Sequence, residues 1–114
     1  FREGMKGLVE RHFEGKVERW SHRDDGCLVF GFPSMVEVDL VVRDEMHVLV
    51  EVKSSVSAAD AVELRRVGEL YERVTGVKPK LALVSPYVEK RAREIAKKLG
   101  MEVYTSILGE RLSA

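Results

Sequence analysis

The chain has 114 residues, of which 45% are hydrophobic and 33% charged, and its 19 basic and 19 acidic side chains give a formal net charge of zero. This length predicts a single globular domain over residues 1–114. Zero net charge argues against strong DNA binding through charge alone, and the single cysteine, Cys27, excludes an internal disulfide and a cysteine-rich metal cluster.

Three further features of the composition concern the source and setting of the protein. The sequence has no secretory signal and no apolar run long enough to cross a membrane, so we expect a cytoplasmic protein. It has no Asn and no Gln but many Glu, Lys and Arg, which is typical of thermophile proteins and favours an archaeal source. It starts with Phe1 instead of Met, so we expect a piece of a longer protein.

The first half of the chain predicts one helix and three strands. Residues 1–13 have the apolar periodicity of an amphipathic helix, and residues 16–20 form a plausible first strand. Residues 36–42 and 47–52 are two apolar stretches separated by a charged turn, which is the pattern of an antiparallel hairpin.

The second half alternates helices with short strands. Ser57, followed three residues later by Asp60, is a capping-box pattern and predicts a helix from about residue 58 that stops at Gly76. The remaining predicted elements are a strand over 81–85, a helix that starts at Ser85-Pro86 and ends at Gly100, and a strand over 101–105. The order αβββαβαβ predicts an α/β fold with a mixed central sheet and helices on both faces.

The hairpin carries charged residues at alternate positions. Glu37 and Asp39 share one face of the first strand, and Glu51 and Lys53 share one face of the second. If the apolar faces of both strands point to one core, the four charged groups converge. This requires Asp39 to lie opposite Glu51, and Glu37 opposite Lys53. Residues 44–46 then connect the strands, as a three-residue loop or as a two-residue turn with a bulge.

Two neighbouring carboxylates are unfavourable as a purely structural cluster, because each raises the pKa of the other and burial adds a desolvation cost. A divalent cation removes the conflict. Oxygen ligands from Asp39, Glu51 and the carbonyl of Val52 suit Mg²⁺ or Mn²⁺, and Lys53 can assist an attacking water. The alternative is a surface ladder of ion pairs, Glu37 with Lys53 and Asp39 with an arginine, which would contribute little stability.

These residues resemble the signature of the PD-(D/E)XK nuclease superfamily. Asp39, eleven intervening residues and Glu51-Val52-Lys53 match its D…(D/E)XK part, whereas Val38 stands where the signature has Pro. The order of elements is similar to that of archaeal Holliday junction resolvases. The stretch 31–55 is also similar to an uncharacterised archaeal family of PD-(D/E)XK-like proteins.

The resemblance implies a restriction-endonuclease-like core and an endonuclease that hydrolyses phosphodiester bonds in DNA with Mg²⁺. Asp39, Glu51 and Lys53 would be the catalytic residues, with Glu37 as an additional one. A glutamate of the first helix, Glu3 by its position, would complete the metal site, although a solvated helix face also explains it. Resolvases of this type act as homodimers, so a homodimer is expected. The alternative function is a catalytically inactive nuclease-fold domain that acts as an assembly or nucleic-acid-binding module.

The charges are unevenly distributed along the chain. Residues 78–98 carry seven basic and two acidic side chains. The candidate phosphate contacts in this stretch are Lys78, Lys80, Lys90 and Arg91. A solvated surface explains the same residues equally well, and the aromatic residues are too scattered in the sequence to predict a base-stacking platform.

Overall fold

The computed structural model describes residues 2–105, with side chains from residue 4 onward. In this part the chain forms three helices and five strands in the predicted order αβββαβαβ. They are α1 (Arg2–Phe13), β1 (Val17–Asp24), β2 (Ser34–Arg43), β3 (Met46–Val52), α2 (Ala58–Thr75), β4 (Lys80–Val84), α3 (Lys90–Lys98) and β5 (Glu102–Tyr104). None of the helices described here is long and apolar enough to cross a membrane.

The strands form one mixed sheet in which the spatial order, β1-β2-β3-β4-β5, is the chain order. β1, β2 and β3 are antiparallel neighbours. β4 is parallel to β3, and β5 is parallel to β4. The helices α2 and α3 make this possible, because each carries the chain back to the end of the sheet where the preceding strand began.

Helices cover both faces of the sheet, as predicted. On one face, which we call the α2 face, α2 and α3 pack against side chains such as Leu49 and Leu83. On the other, the α1 face, α1 packs against Val50 and Ala82. Neighbouring residues of each strand therefore belong to different cores, so the direction of a side chain can be derived from strand register.

The start of α2 confirms the predicted capping box. The hydroxyl of Ser57 accepts a hydrogen bond from the backbone N–H of Asp60, and the carboxylate of Asp60 accepts one from the backbone N–H of Ser57 at 2.8 Å. Gly76 ends the helix in the left-handed conformation, at φ 79°. The first turn of α2 is thus fixed a few residues after the end of β3.

α3 starts later than predicted. The hydroxyl of Ser85 accepts from the backbone N–H of Tyr87 and donates to its carbonyl at 2.8 Å, so Ser85 closes a turn and does not cap a helix. The chain then runs extended beside Val56, with backbone hydrogen bonds from Val56 N to Tyr87 O and from Glu89 N to Val56 O. The helix begins only at Lys90.

Candidate active site

The register of the β2–β3 hairpin differs from the prediction. Asp39 pairs with Val50 and not with Glu51, and Asp44 and Glu45 alone form the turn. The predicted three-residue connection, or turn with a bulge, is therefore wrong. The physical reason is the backbone of Asp44, which adopts a left-handed conformation (φ 56°) that aspartate tolerates, so two residues are enough to reverse the chain.

This register places the predicted acids on opposite faces of the sheet. Directly opposed residues of an antiparallel pair share a face, so Asp39 lies on the α1 face with Val50. Glu51 follows Val50 in the strand and lies on the α2 face. Glu37 is two residues before Asp39 and lies on the α1 face as well, so the predicted pairing of Glu37 with Lys53 is also wrong. The structure does not bring the four charged groups into one pocket.

On the α1 face, Asp39 is paired with an arginine of the neighbouring strand. The β1–β2 register sets Arg19 opposite Asp39, and Nη1 of Arg19 lies 3.1 Å from Oδ1 of Asp39. Nε of the same guanidinium lies 3.6 Å from Oε1 of Glu37. Asp39 is only 7% exposed, whereas the side chain of Arg19 is 44% exposed. The charge of a buried carboxylate is thus compensated by a partly solvated cation.

On the α2 face, Lys53 is paired with Asp60 at the start of α2. Nζ of Lys53 lies 2.9 Å from Oδ1 of Asp60, while Oδ2 of Asp60 accepts from the backbone N–H and hydroxyl of Ser57. Burial alone would raise the pKa of Asp60, but the hydrogen bonds from Lys53 and Ser57 together lower it. The hydrogen bond to Asp60 raises the pKa of Lys53 and outweighs the opposite effect of burial. Lys53 is therefore held as a cation.

Glu51 is the acid of this face whose pKa is raised. Burial raises the pKa of its carboxyl above the ordinary value, the charge of Lys53 lowers it by less, and Glu63 and Asp60 raise it further. Arg19 also lowers the pKa of Glu51, although its guanidinium contacts Asp39 on the other face. The charge of Arg19 therefore acts on both predicted catalytic acids.

The sheet opens at the candidate residues. Asp39 and Val50 form the last pair of the β2–β3 ladder. Beyond them β2 continues towards Ser34, paired only with β1, and β3 continues through Glu51 to Val52, paired only with β4. Asp39 and Glu51 thus stand on either side of the point at which the two strands separate.

The donor atoms suit a hard divalent cation, but the two acids do not converge on one ion while Arg19 contacts Asp39. Carboxylate oxygens are the ligands that Mg²⁺ prefers. However, Asp39 and Glu51 lie on opposite faces, and among residues 2–105 no group of three or more His, Cys, Asp or Glu is arranged to hold a metal ion. A shared ion would have to bind in the opening between β2 and β3 and compete with Arg19. The carbonyl of Val52 stays a predicted ligand.

The glutamates of α1 divide into one that the structure describes and one that it does not. The side chain of Glu3, the predicted additional metal ligand, lies outside the described residues. Glu10 accepts a hydrogen bond from the backbone N–H of Val17 at 2.7 Å. It therefore fixes the start of β1 against α1, which is a structural role.

Two of the predicted phosphate contacts lie far from Lys53. Lys80 pairs with Val48, at the end of β4 where β3 begins. Together with Lys78 it lines an open groove of about 740 Å³ between the ends of α2 and α3. The charged side chains of this groove have mixed sign; they are Arg65, Lys78, Lys80, Lys98, Glu69, Glu72 and Glu102. Its charge therefore does not favour a polyanion.

The other two contacts lie near the candidate site. Lys90 and Arg91 begin α3 just beyond the end of β4, at the end of the sheet where β3 and β4 finish, which we call the Lys53 end. The loop before β2 is at this end too, and it exposes Phe30 and Phe32, which are 41% and 59% exposed. Their rings lie 6.1 Å apart and are nearly parallel, at 25°. The structure thus pairs aromatic residues that the sequence suggested were scattered.

Arg19 and Asp60 are charged partners that the sequence pattern does not predict. The alternation of β1 puts Arg19 on a definite face, but only the β1–β2 register selects its partner on β2. The capping-box pattern predicts Asp60 only as part of a helix cap. Its position in the first turn of a helix that directly follows Lys53 is the signal that would have suggested the second role.

Solved structures with a similar fold include one described as a repair endonuclease and two described as EndoMS. A repair endonuclease from Pyrococcus abyssi has a TM-score of 0.63 and 17% identity, with 90% of this chain and 45% of that chain covered. EndoMS in its apo form has a TM-score of 0.61 and 17% identity, with coverages of 90% and 44%. EndoMS in complex with double-stranded DNA has a TM-score of 0.58 and 18% identity, with coverages of 90% and 41%.

The chain therefore spans less than half the length of these structures, and at such low identity the likeness shows the fold. That fold is the predicted restriction-endonuclease-like one. No curated protein matches the chain significantly. A family model of the PD-(D/E)XK nuclease superfamily matches residues 34–102, from the start of β2 into β5 and including the candidate residues. The resemblance inferred from the sequence is confirmed, and the chain belongs to the PD-(D/E)XK nuclease superfamily.

Proposed function

We propose that this chain is a DNA-cleaving domain that hydrolyses phosphodiester bonds with Mg²⁺ or Mn²⁺. Asp39 and Glu51 are its proposed metal ligands, for an ion in the opening between β2 and β3 that binds when Arg19 leaves Asp39. Lys53 is its proposed assistant to the attacking water. The observation that carries the proposal is the family match over residues 34–102, which includes these three residues and the opening between β2 and β3. The similar structures described as a repair endonuclease and as a DNA complex of EndoMS support DNA as the substrate.

The Lys53 end of the sheet is the proposed DNA-binding surface. Lys90 and Arg91 supply positive charge for the phosphates there. Phe30 and Phe32 offer exposed ring faces for stacking against bases. Since these groups lie at the end of the sheet that holds Lys53, a bound strand would run past the candidate residues.

A cleavage assay with matched variants tests this proposal. Plasmid, single-stranded and branched DNA are incubated with the protein and millimolar Mg²⁺ or Mn²⁺, and products are separated on gels. We expect wild-type cleavage that depends on the metal and is lost in Asp39→Ala. Glu45→Ala is the matched control, because Glu45 is an exposed acid in the β2–β3 turn, at the other end of the hairpin from the opening. Equal cleavage by Asp39→Ala and wild type would exclude Asp39 from the site.

The second candidate function is an inactive nuclease-fold domain that serves as an assembly or nucleic-acid-binding module. It is favoured by the observation that Asp39 and Lys53 are engaged in ion pairs with Arg19 and Asp60, on opposite faces of the sheet. This function predicts no cleavage of any of the three DNA forms and no calorimetric signal with millimolar Mg²⁺ or Mn²⁺. Salt-sensitive DNA retention that is unaffected by Asp39→Ala would indicate a binding module.

The expected homodimer, the cytoplasmic setting and the thermophilic, archaeal source stay predictions. Sedimentation equilibrium over a range of protein concentrations tests the homodimer. A mass that stays at the monomer value at every concentration would contradict it.

A further inference from the structure

The buried carboxylate of Asp39 needs groups nearby that compensate its negative charge. Asp39 is 7% exposed and lies on the face that carries the apolar core of α1. A charged carboxylate in such a place is strongly unfavourable unless a cation or hydrogen-bond donors compensate it. Arg19 is one such cation, with Nη1 3.1 Å from Oδ1 of Asp39.

Strand pairing fixes the backbone position of Arg19, but its side chain is partly exposed to solvent. The β1–β2 pairing sets it opposite Asp39, and Glu37, two residues away on the same face, provides a second carboxylate at 3.6 Å. The side chain of Arg19 is nevertheless 44% exposed, and that of Glu37 is 53% exposed. The guanidinium can therefore leave Asp39 towards solvent without unpacking the core, since its long side chain has that freedom.

A divalent cation at Asp39 would bind beside Oδ1, the carboxylate oxygen that Nη1 of Arg19 contacts. Two cations at one carboxylate repel each other strongly where solvent screening is reduced. We propose that Arg19 is a built-in cation that takes the place of a divalent ion at Asp39, so that ion binding at this carboxylate requires the displacement of Arg19. This inference deepens the proposed function and rests on it, because it concerns the regulation of the same site.

The proposal has a consequence for the chain without this arginine. Asp39 and Glu37, which share one side of β2, would then lack the guanidinium that contacts both of them. A hard divalent cation would satisfy both carboxylates. Removal of Arg19 should therefore weaken the fold in the absence of ions and strengthen ion binding.

Thermal unfolding and calorimetry of Arg19→Met test the inference, with Mn²⁺ and Ca²⁺ as probes and no DNA present. We expect Arg19→Met to melt at a lower temperature than wild type without ions and to recover when an ion is added. Its affinity for the ion should be at least tenfold higher than that of wild type. Arg23→Met is the matched control, because Arg23 pairs with the exposed Asp25 at 2.9 Å, and it should behave as wild type.

The double variant Arg19→Met with Asp39→Asn tests whether the ion binds at Asp39. Ions should no longer raise the melting temperature of this variant. The inference is overturned if Arg19→Met binds ions no more tightly than wild type, or if the double variant is stabilised equally. Should Arg19→Met fail to fold, Arg19→Lys replaces it. Because lysine is shorter and has one ammonium group, it should release Asp39 more easily than arginine does. The ion affinity of Arg19→Lys should therefore exceed that of wild type. An affinity at or below that of wild type overturns the inference. Cleavage by wild type with no effect of Arg19 on ion binding would leave the proposed function intact and remove only this inference.

Discussion

Arg19 of β1 lies opposite Asp39 of β2, and its guanidinium is 3.1 Å from the carboxylate of Asp39. The buried acid of the nuclease signature is therefore compensated by a residue outside that signature. The pairing follows from the strand register, which also turns Asp39 away from Glu51.

The first prediction concerns the energetic coupling of Arg19 and Asp39. Arg19→Met and Asp39→Asn should each lower the free energy of unfolding, and the double variant should lose less than the sum of the two. We expect a coupling of about 1–3 kcal/mol, since the acid is buried and the two side chains are in contact. Urea unfolding of the four proteins measures it.

The pair of Arg23 and Asp25 is the control for this cycle. Its partners lie 2.9 Å apart, but both are well exposed, so water screens their attraction. Their coupling should be below about 1 kcal/mol. Equal coupling in both pairs would mean that the burial of Asp39 does not strengthen its interaction with Arg19.

The second prediction is a pH dependence caused by Glu51. Burial raises the pKa of this carboxyl in the folded protein above its ordinary value of 4.5. The folded state then binds the proton more tightly than the unfolded state, so the free energy of unfolding falls as pH rises from 4.5 through the raised pKa. Glu51→Gln has no carboxyl to ionise at this position, so its free energy of unfolding should not fall in this way. The variant should therefore be more stable than wild type at neutral pH.

Melting temperatures across the acidic and neutral range test the pH effect. The difference between Glu51→Gln and wild type should be small below pH 4.5 and grow towards neutrality. Glu45→Gln, in the exposed turn, should show no such trend. A Glu51→Gln variant that is less stable than wild type at neutral pH would contradict the prediction.

The third prediction separates the two roles of Lys53. If Lys53 assists the attacking water, Lys53→Met should slow cleavage by about 100-fold or more. Its effect on stability should stay within about 1 kcal/mol, because the pair with Asp60 is partly exposed. Single-turnover cleavage and urea unfolding measure the two effects.

Lys16→Met is the matched control for Lys53→Met. Lys16 is an exposed lysine before β1, on the part of the sheet away from the Lys53 end. It should cleave DNA as wild type does. Undiminished cleavage by Lys53→Met would remove this residue from the mechanism.

The fourth prediction concerns DNA binding by the aromatic pair. Replacing Phe30 and Phe32 together by Ala should weaken the binding of single-stranded DNA by about 1–3 kcal/mol, the range for one stacked base. Fluorescence anisotropy in the presence of a chelator measures binding without cleavage. Val74→Ala, an exposed apolar residue at the far end of α2, should leave binding unchanged.

Two results would contradict the role of the aromatic pair. One is unchanged DNA affinity in the double Phe variant. The other is a change from dimer to monomer in sedimentation, with DNA affinity unaffected, which would mean that the pair contacts a second copy of the chain.

Much of the fold could be predicted because its signals are local. The apolar periodicities located the helices and strands, and the pattern of Ser57 and Asp60 located the start of α2 correctly. The predicted start of α3 was wrong, because the hydroxyl of Ser85 accepts a hydrogen bond from the backbone N–H of Tyr87 in a turn. That alternative use of a Ser-Pro pair has the same local sequence signature as a helix cap.

The candidate site could be predicted only in part. The family signature is a matter of residue type and spacing, so Asp39, Glu51 and Lys53 were identified without the structure. Their mutual arrangement depends on the number of residues in one turn, and the left-handed backbone of Asp44 decides it. Because strand side chains alternate, a difference of one residue there transfers Asp39 to the opposite face.

The separation of β2 and β3 after the pair of Asp39 and Val50 has a dynamic consequence. The outer part of the β1–β2 ribbon is joined to the remaining sheet by side-chain packing of residues such as Val36 and Val38, and not by a continuous ladder of main-chain bonds. Bending of that ribbon should therefore be concentrated at residue 39. Amide hydrogen exchange should be faster on its outer half than in β3 and β4.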